Sequence, residues 1–374
     1  MLSTTPSQLR CLCGGPLELH STRETALPAQ PAVREVRSGR LSCSSCQSGY
    51  WILGGVALLI EDPQAYLTQH VKGISRIVED SEIPPEFLSD YLEAKSEILT
   101  EHIEEDLEAE RVNALYFMNH YLRLDSGATW WKPQSASFDP LIDRLVREYW
   151  DQGPFAEIQK LMDSMPAQGA AIELGCGVGG LARILRERAS SYLGVDSSFA
   201  SIALARHMNL GAAYPRELRI PGDLLDGPVS QSIDSQVESQ VMSADGSIDF
   251  VVAELPHCPV APEQWDLTVA LNAIDMLDEP ASLPRLQAHL LRSGGRAIQS
   301  CPYIWHEVVA RALREELGAR AKNSASAVAA LYEDAGFTLE TVRDHVPWLF
   351  FKHFRQLEIY SVHLFSAKKT GAPS

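Results

Sequence analysis

The sequence predicts an α/β fold on a mainly parallel sheet, and three observations predict it. Short apolar runs from Ala170 onward read as strands, with helical patterns between most of them. A turn with four glycines in six residues, Gly175, Gly177, Gly179 and Gly180, joins the first of these strands to a helix. An acid, Asp196, closes the next strand.

In chain order, residues 1–62 read as loop-rich with strand-like ends, and "GYWILGGVALLIEDP" as a hairpin turning at Gly54–Gly55 and stopped by Pro63. Residues 64–124 read as helical. The acidic stretch from Glu79 to Glu110 carries Leu88, Leu92, Leu99, Ile103 and Leu107 at near-helical spacing, which fits an amphipathic helix with a solvated face. "YFMNHYLRLDSGATWWKP" then turns aromatic and irregular. The expected strands are Ala170–Leu174, Ser191–Val195, Phe250–Glu254, Leu267–Leu271, Arg296–Ser300 and Ile359–Ser366. A Ser-, Gln- and Asp-rich stretch, Asp226 to Ser247, interrupts them and reads as a surface insertion. The organisation expected is a small unit over 1–62, a helical connector over 63–137 and the α/β unit over 138–374, about what a chain of 374 residues allows.

Composition bounds the function. A formal net charge of −17 argues against a long nucleic-acid duplex as partner, because phosphate binding needs a positive surface. The longest apolar run, Trp51 to Ile60, is too short to span a bilayer. The N-terminus lacks a basic start followed by an apolar core, so no membrane role is expected and the cytoplasm is the expected location. Of seven cysteines, Cys176, Cys258 and Cys301 stand alone in apolar surroundings and read as core thiols. Cys11, Cys13, Cys43 and Cys46 form two close pairs, which in an intracellular chain suggest a metal more than disulfides.

The glycine turn has a chemical reading. Gly175 and Gly177 open backbone angles closed to other residues and let a ligand touch the main chain. The pattern is E-x-G-x-G-x-G, from Glu173 through Gly175 and Gly177 to Gly179, and not the G-x-G-x-x-G of dinucleotide folds. It resembles the first motif of class I S-adenosylmethionine methyltransferases, a Rossmann-like fold. A nicotinamide enzyme is the alternative. The resemblance implies that Glu173 supports the loop or the ligand's amino acid end and that the glycines face the methionine and ribose. Asp196 would accept the ribose hydroxyls, and Glu254 or its rival Asp223 would meet the adenine.

Asn272 and Asp275 follow the fourth strand, where an open parallel sheet binds ligands. They read either as cofactor or acceptor contacts or as helix caps. Tyr303, Trp305 and His306, after the fifth strand, would project near the transferred methyl group, where aromatic rings attract a sulfonium. His306 is a base or a surface residue. The N-x-I-D element at Asn272–Asp275 and the P-Y-x-W element at Pro302–Trp305 resemble those of the ovothiol-type 4-mercaptohistidine N-methyltransferases. So do "YFMNHY" and "HVPWLFFKHFRQLEIYSVHLFSAKK". Asn272, Asp275 and Tyr303 are the catalytic candidates; Trp305, His306 and Arg355 are the acceptor-binding candidates. Arg355 would hold a carboxylate or be a surface cation.

"RCLCGGPLEL" and "LSCSSCQSGYWILGGVALLI" resemble the zinc-ribbon protein that activates tRNA and rRNA methyltransferases. That resemblance implies a closed, structural zinc held by Cys11, Cys13, Cys43 and Cys46, although one residue instead of two separates Cys11 from Cys13. A ribbon without its metal, or with three ligands, is the alternative. The expected function is methyl transfer from S-adenosylmethionine to a small molecule, at nitrogen or sulfur of a histidine-like or other specialised metabolite. The rivals are an RNA or translation-protein methyltransferase and a non-catalytic cofactor-binding module. The residues leave the acceptor and the oligomeric state open.

Overall fold

In the computed structural model the chain is described over residues 1–28, 30–101, 103–121, 140–149, 153–165, 168–214, 219–220, 227–228, 248–353 and 356–370. One sheet carries eleven strands. They are β1 (Leu17–Leu27), β2 (Gln30–Cys43), β3 (Gly49–Leu53), β4 (Val56–Leu59), β5 (Gln168–Leu174), β6 (Ala189–Asp196), β7 (Ile248–Ala253), β8 (Trp265–Leu271), β9 (Leu291–Cys301), β10 (Phe337–His353) and β11 (Gln356–Lys369). The order is β1-β2-β3-β4-β7-β6-β5-β8-β9-β11-β10. The run from β4 to β9 is parallel, whereas β10 and β11 close that edge antiparallel. Strand order reverses between β5 and β8, which opens a crevice beyond their carboxyl ends. The fold is therefore the Rossmann-like α/β class expected.

Helices flank the sheet: α1 (Pro63–Gln69), α2 (Val71–Ile74), α3 (Pro85–Glu101), α4 (Ile103–Tyr121), α5 (Pro140–Tyr149), α6 (Pro154–Ser164), α7 (Ala182–Leu185), α8 (Phe199–Leu210), α9 (Ser282–Leu290), α10 (Glu307–Leu317) and α11 (Ser324–Asp334). Strand side chains alternate between two cores, as the two-residue period requires. Ile172, Leu174, Leu193 and Val195 enter one, and Ala171, Tyr192, Phe250 and Leu267 the other.

The hairpin expected at Gly54–Gly55 is present, both glycines having positive φ. Its second strand, β4, pairs in parallel with β7 through Leu58 opposite Val252 and Leu59 opposite Ala253. Hydrogen bonding thus crosses the expected boundary at residue 62 without a break. A buried ion cluster fastens the same seam. Arg206 of α8 bonds Glu35 of β2 at 2.8 Å and also pairs with Asp249, which accepts from the Leu2 amide at 2.8 Å and the Thr5 hydroxyl at 2.5 Å. Burial makes this cluster costly to break one partner at a time.

The structure differs from expectation in three places. "HVPWLFF", outside the expected strands, lies inside the seventeen-residue β10. Pro347 is tolerated there because β10 is an edge strand. The helix after the glycine turn is only four residues long. The front unit, read as loop-rich, holds strands of 11 and 14 residues. Asp223, Arg355, residues 122–133 and nearly all of the 226–247 insertion lie outside the described residues. Among the described residues, no helix is long and apolar enough to cross a membrane.

Candidate functional site

A cleft of about 990 Å³ lies at the crevice between β5 and β8. Its floor is the set of strand ends, with Glu173, Gly175, Cys176, Gly177, Asp196 and Asn272 among its lining. Gly175 and Gly177 take φ of +78° and +52°, the left-handed region that favours glycine. A side chain on Gly177 would meet nothing within 4 Å, so its bare backbone faces open space. Asp196 organises the turn: one carboxylate oxygen accepts from the Gly177 amide at 2.9 Å and the other from the Ser198 amide at 2.9 Å.

Glu173 is buried beneath the turn and accepts a hydrogen bond from the Tyr192 hydroxyl. Burial pushes its carboxyl up to about 8, with the Tyr192 bond pulling the other way and the Asp196 charge adding to the rise. Asn272, at φ +54°, donates its amide to Ser300 at 2.7 Å, and its side-chain oxygen is buried without a hydrogen-bond partner. A buried acceptor of this kind needs a donor. An orphaned amide oxygen, a buried acid and a side-chain-free turn together suit a ligand carrying an ammonium group and a ribose, as S-adenosylmethionine does.

Gly179 differs from its neighbours. A side chain there would lie 2.6 Å from Phe250 and 2.9 Å from Ala205, and the residue is absent from the cleft lining. At Gly179, expected to face the cofactor, the turn packs closely on β7 and α8. Glu254 lines the cleft and is exposed, next to Leu255.

Tyr303, Trp305 and His306, just after β9, do not line the cleft either. The Tyr303 hydroxyl is bonded to His363 Nδ1 at 2.7 Å, and its ring stacks on Trp305 at 5.7 Å. Trp305 donates its indole N–H to Ser324 at 3.0 Å. His306 is exposed at the start of α10. Asp275 is buried and accepts from the Ile304 amide at 2.8 Å. The N-x-I-D and P-Y-x-W elements therefore brace one another beside the cleft: Asp275 holds the backbone of the Tyr303 loop. Of the two elements, N-x-I-D lines the cavity, through Asn272 and Ala273.

The roof was not legible as a site in the sequence. Its α4 face presents Asn113, Tyr116 and His120, spaced as one helical stripe. Phe155 of α6 and Trp348 of β10 extend it. From the other side, α1 and α2 bring His70 and Gly73. Tyr66 anchors them by donating to the Ser197 carbonyl at 2.5 Å and accepting from the Phe199 amide at 3.1 Å.

The four paired cysteines form a second cluster. Their sulfurs all lie within 4.8 Å of one another, with Cys11 and Cys46 3.5 Å apart and Cys13 and Cys43 3.6 Å apart. A tetrahedral ion with bonds of ~2.3 Å to sulfur sets sulfurs ~3.8 Å apart, so the donor set fits one. The Cys46 thiol is pulled down to about 6, first by the Ser48 side chain and amide.

Residues 146–342 match the family described as "Methyltransferase domain". A curated relative, the ubiquinone biosynthesis O-methyltransferase of Stutzerimonas stutzeri (strain A1501), is 25% identical over 169 residues, 42% of this chain. The chain spans 60% of that relative's length. Similar solved structures include the complex of the Haloferax volcanii Trm112 methyltransferase activator with a methyltransferase. It shows 14% identity and a TM-score of 0.37, covering 62% of this chain and 95% of that one. Another is the N-methyltransferase NodS of Bradyrhizobium japonicum WM9 with S-adenosyl-L-homocysteine, at 15% identity and a TM-score of 0.36, covering 63% and 94%. The matched segment takes in more than half of the chain, which belongs to the methyltransferase-domain family and is an S-adenosylmethionine-dependent methyltransferase.

Proposed function

We propose that this methyltransferase acts on a small molecule, at a ring nitrogen or a sulfur of a histidine-like or other specialised metabolite. The observation that carries the reading is the roofed cleft. Its volume, about 990 Å³, is at the upper end for ligand pockets and suits a nucleoside cofactor plus a small acceptor. Charge speaks against RNA: the whole chain carries −17, and the cleft offers no basic excess, with Asp196 and Glu254 set against Lys72 and Arg76. The resemblance of the N-x-I-D, P-Y-x-W and YFMNHY elements to ovothiol-type enzymes supports a histidine-like acceptor. The oxygen acceptor implied by the curated relative's name remains that protein's own.

In this reading Glu173, Gly175, Gly177, Asp196 and Asn272 hold S-adenosylmethionine, and Glu254 stands toward its adenine. The bound sulfonium supplies an electrophilic methyl carbon. The chain's part is to align a nucleophile with it and exclude water. Asp275 and Tyr303 act through the loop they brace, and Trp305 and His306 act on that loop rather than on the acceptor. Labelled methyl transfer to a cell extract, fractionated into RNA, protein and small molecules, tests the reading. Label in the small-molecule fraction is expected; label confined to RNA or protein overturns it.

We also propose that Cys11, Cys13, Cys43 and Cys46 hold one structural zinc. Four thiolates fill a tetrahedral site and leave no position for catalysis. The front unit would be a ribbon fused in cis to the catalytic sheet through β4. Metal analysis of purified protein is expected to give one zinc per chain, lost in Cys11→Ser with Cys43→Ser; less than a tenth of an equivalent in the native chain would contradict it.

A further inference from the structure

The cover of the cleft is fastened on two sides. On the α4 side the Asn119 side chain takes both backbone groups of Phe351 on β10, accepting from the amide at 2.8 Å and donating to the carbonyl at 2.9 Å. Tyr121 donates to the Val178 carbonyl of the glycine turn. On the other side lies the junction of α1 and α2, a stretch that no motif marks in the sequence. β4 runs parallel to β7, so its carboxyl end opens on the same side of the sheet as Asp196 and Glu254. Leu59 stands opposite Ala253, and Glu254 is the next residue out of β7. Asp62 then caps α1, accepting from the Ala65 amide at 3.0 Å, with Pro63 in the first turn.

Tyr66 pins the junction just past Asp196. Its hydroxyl donates to the Ser197 carbonyl at 2.5 Å and accepts from the Phe199 amide at 3.1 Å. His70 is four residues further on, on the same helix face, and its ring lies over that of Tyr66 with centroids 4.1 Å apart. Gly73 seats α2 on α8: a side chain there would stand 3.4 Å from Ala200. His70 and Glu254 both line the cleft, and both are exposed. Burial holds the His70 imidazole below its ordinary pKa while the Glu254 charge pulls the other way, so the two side chains feel one another. Among the described residues none hydrogen-bonds the His70 ring, which leaves its N–H to a ligand or to water.

Resting on the cofactor reading above, we infer that the α1–α2 junction reads the base of the cofactor and that His70 is a specificity-determining residue. Its ring N–H donates to an adenine ring nitrogen that flanks the amino group, while Glu254 accepts from the amino group itself. A carboxylate only accepts, and a neutral imidazole has one N–H to donate. Together they complement the adenine edge, where an amino donor neighbours a ring-nitrogen acceptor. Hypoxanthine, with oxygen in place of the amino group, sets an acceptor against the carboxylate and is rejected. His70 lies outside residues 146–342, so this contact belongs to the connector of this chain and not to the segment shared with the family.

The test is calorimetric, on the full chain. The probes are S-adenosylhomocysteine, its inosine counterpart, and its 1-deaza and 7-deaza counterparts, which each lack one of the two ring nitrogens flanking the amino group. The inosine counterpart should bind the native chain about 30-fold more weakly than S-adenosylhomocysteine, because the carboxylate loses its donor and meets an acceptor. One of the two deaza counterparts should bind about tenfold more weakly, the size of one hydrogen bond. His70→Phe keeps a ring over Tyr66 but has no N–H. It should bind S-adenosylhomocysteine about tenfold more weakly and no longer discriminate against that deaza counterpart. His70→Gln restores an N–H donor and should return to within about threefold of the native Kd. Unchanged S-adenosylhomocysteine binding in His70→Phe, no recovery in His70→Gln, or a deaza penalty that persists in His70→Phe overturns the role of His70. An inosine counterpart bound as tightly as S-adenosylhomocysteine overturns its pairing with Glu254. A native chain that binds no S-adenosylhomocysteine instead brings down the cofactor reading beneath both.

Discussion

The floor and the roof of the cleft are built on opposite principles. The floor is made by strand ends and a turn whose side chains have been removed: Gly175 and Gly177 expose backbone, and Asp196 fixes the turn through two amides. The roof is made by side chains brought from three distant stretches, α4, α6 and β10, and held by the Asn119 and Tyr121 bonds. A floor of this kind serves one ligand shared by many enzymes. A roof of this kind can change its acceptor by changing a few side chains, because the scaffold beneath does not depend on them.

That contrast sets the order of expected effects. The largest falls within the floor. Gly179→Val puts a branched side chain into left-handed backbone and into Phe250 and Ala205. Strain and overpacking together should cost roughly 2–5 kcal/mol, read by urea unfolding. A stable Gly179→Val protein would mean that the turn does not pack as described. Next comes the roof. Asn119→Ala strips two partners from the buried backbone of Phe351 and should cost roughly 1–3 kcal/mol. It should also raise KM for the acceptor more than Kd for S-adenosylhomocysteine; equal shifts would erase the distinction between the two regions.

A smaller effect depends on pH. Glu173, raised from 4.5 to about 8 by burial, holds its proton more tightly in the native state than when unfolded. Stability contributed through it is therefore full below the ordinary carboxylate range and is lost as pH rises from 4.5 to about 8. Glu173→Gln cannot lose that proton. The melting temperature of the variant minus that of the native chain should grow by a few degrees across this window. Parallel curves would show that Glu173 is already ionised in the free protein.

How much of this could be read beforehand follows the same division. The floor was legible because its chemistry is local: the glycines, Glu173 and Asp196 stand within two strand–turn units of sequence. Even there the close packing of Gly179 against Phe250 could not be read from spacing alone. The roof was not legible as a site, because Tyr116, Phe155 and Trp348 meet only through the fold. The stripe of Asn113, Tyr116 and His120 was the available signal, three residues on one helix face whose partner lay far along the chain. Tyr303 and Trp305 drew attention as aromatics after a strand, yet the hydrogen bonds to His363 and Ser324 turn them to the scaffold. The long β10 was hidden by Pro347, which reads as a breaker unless the strand is known to lie at an edge.

In the proposed reading the bare turn, with Asp196 beside it, holds S-adenosylmethionine. Calorimetric titration of the native chain and of Asp196→Val with S-adenosylhomocysteine tests it most directly. One saturable site is expected in the native chain, with binding weaker by about 100-fold in the variant, the size of two or three lost hydrogen bonds. No heat from the native chain, or the same Kd for both proteins, would contradict it.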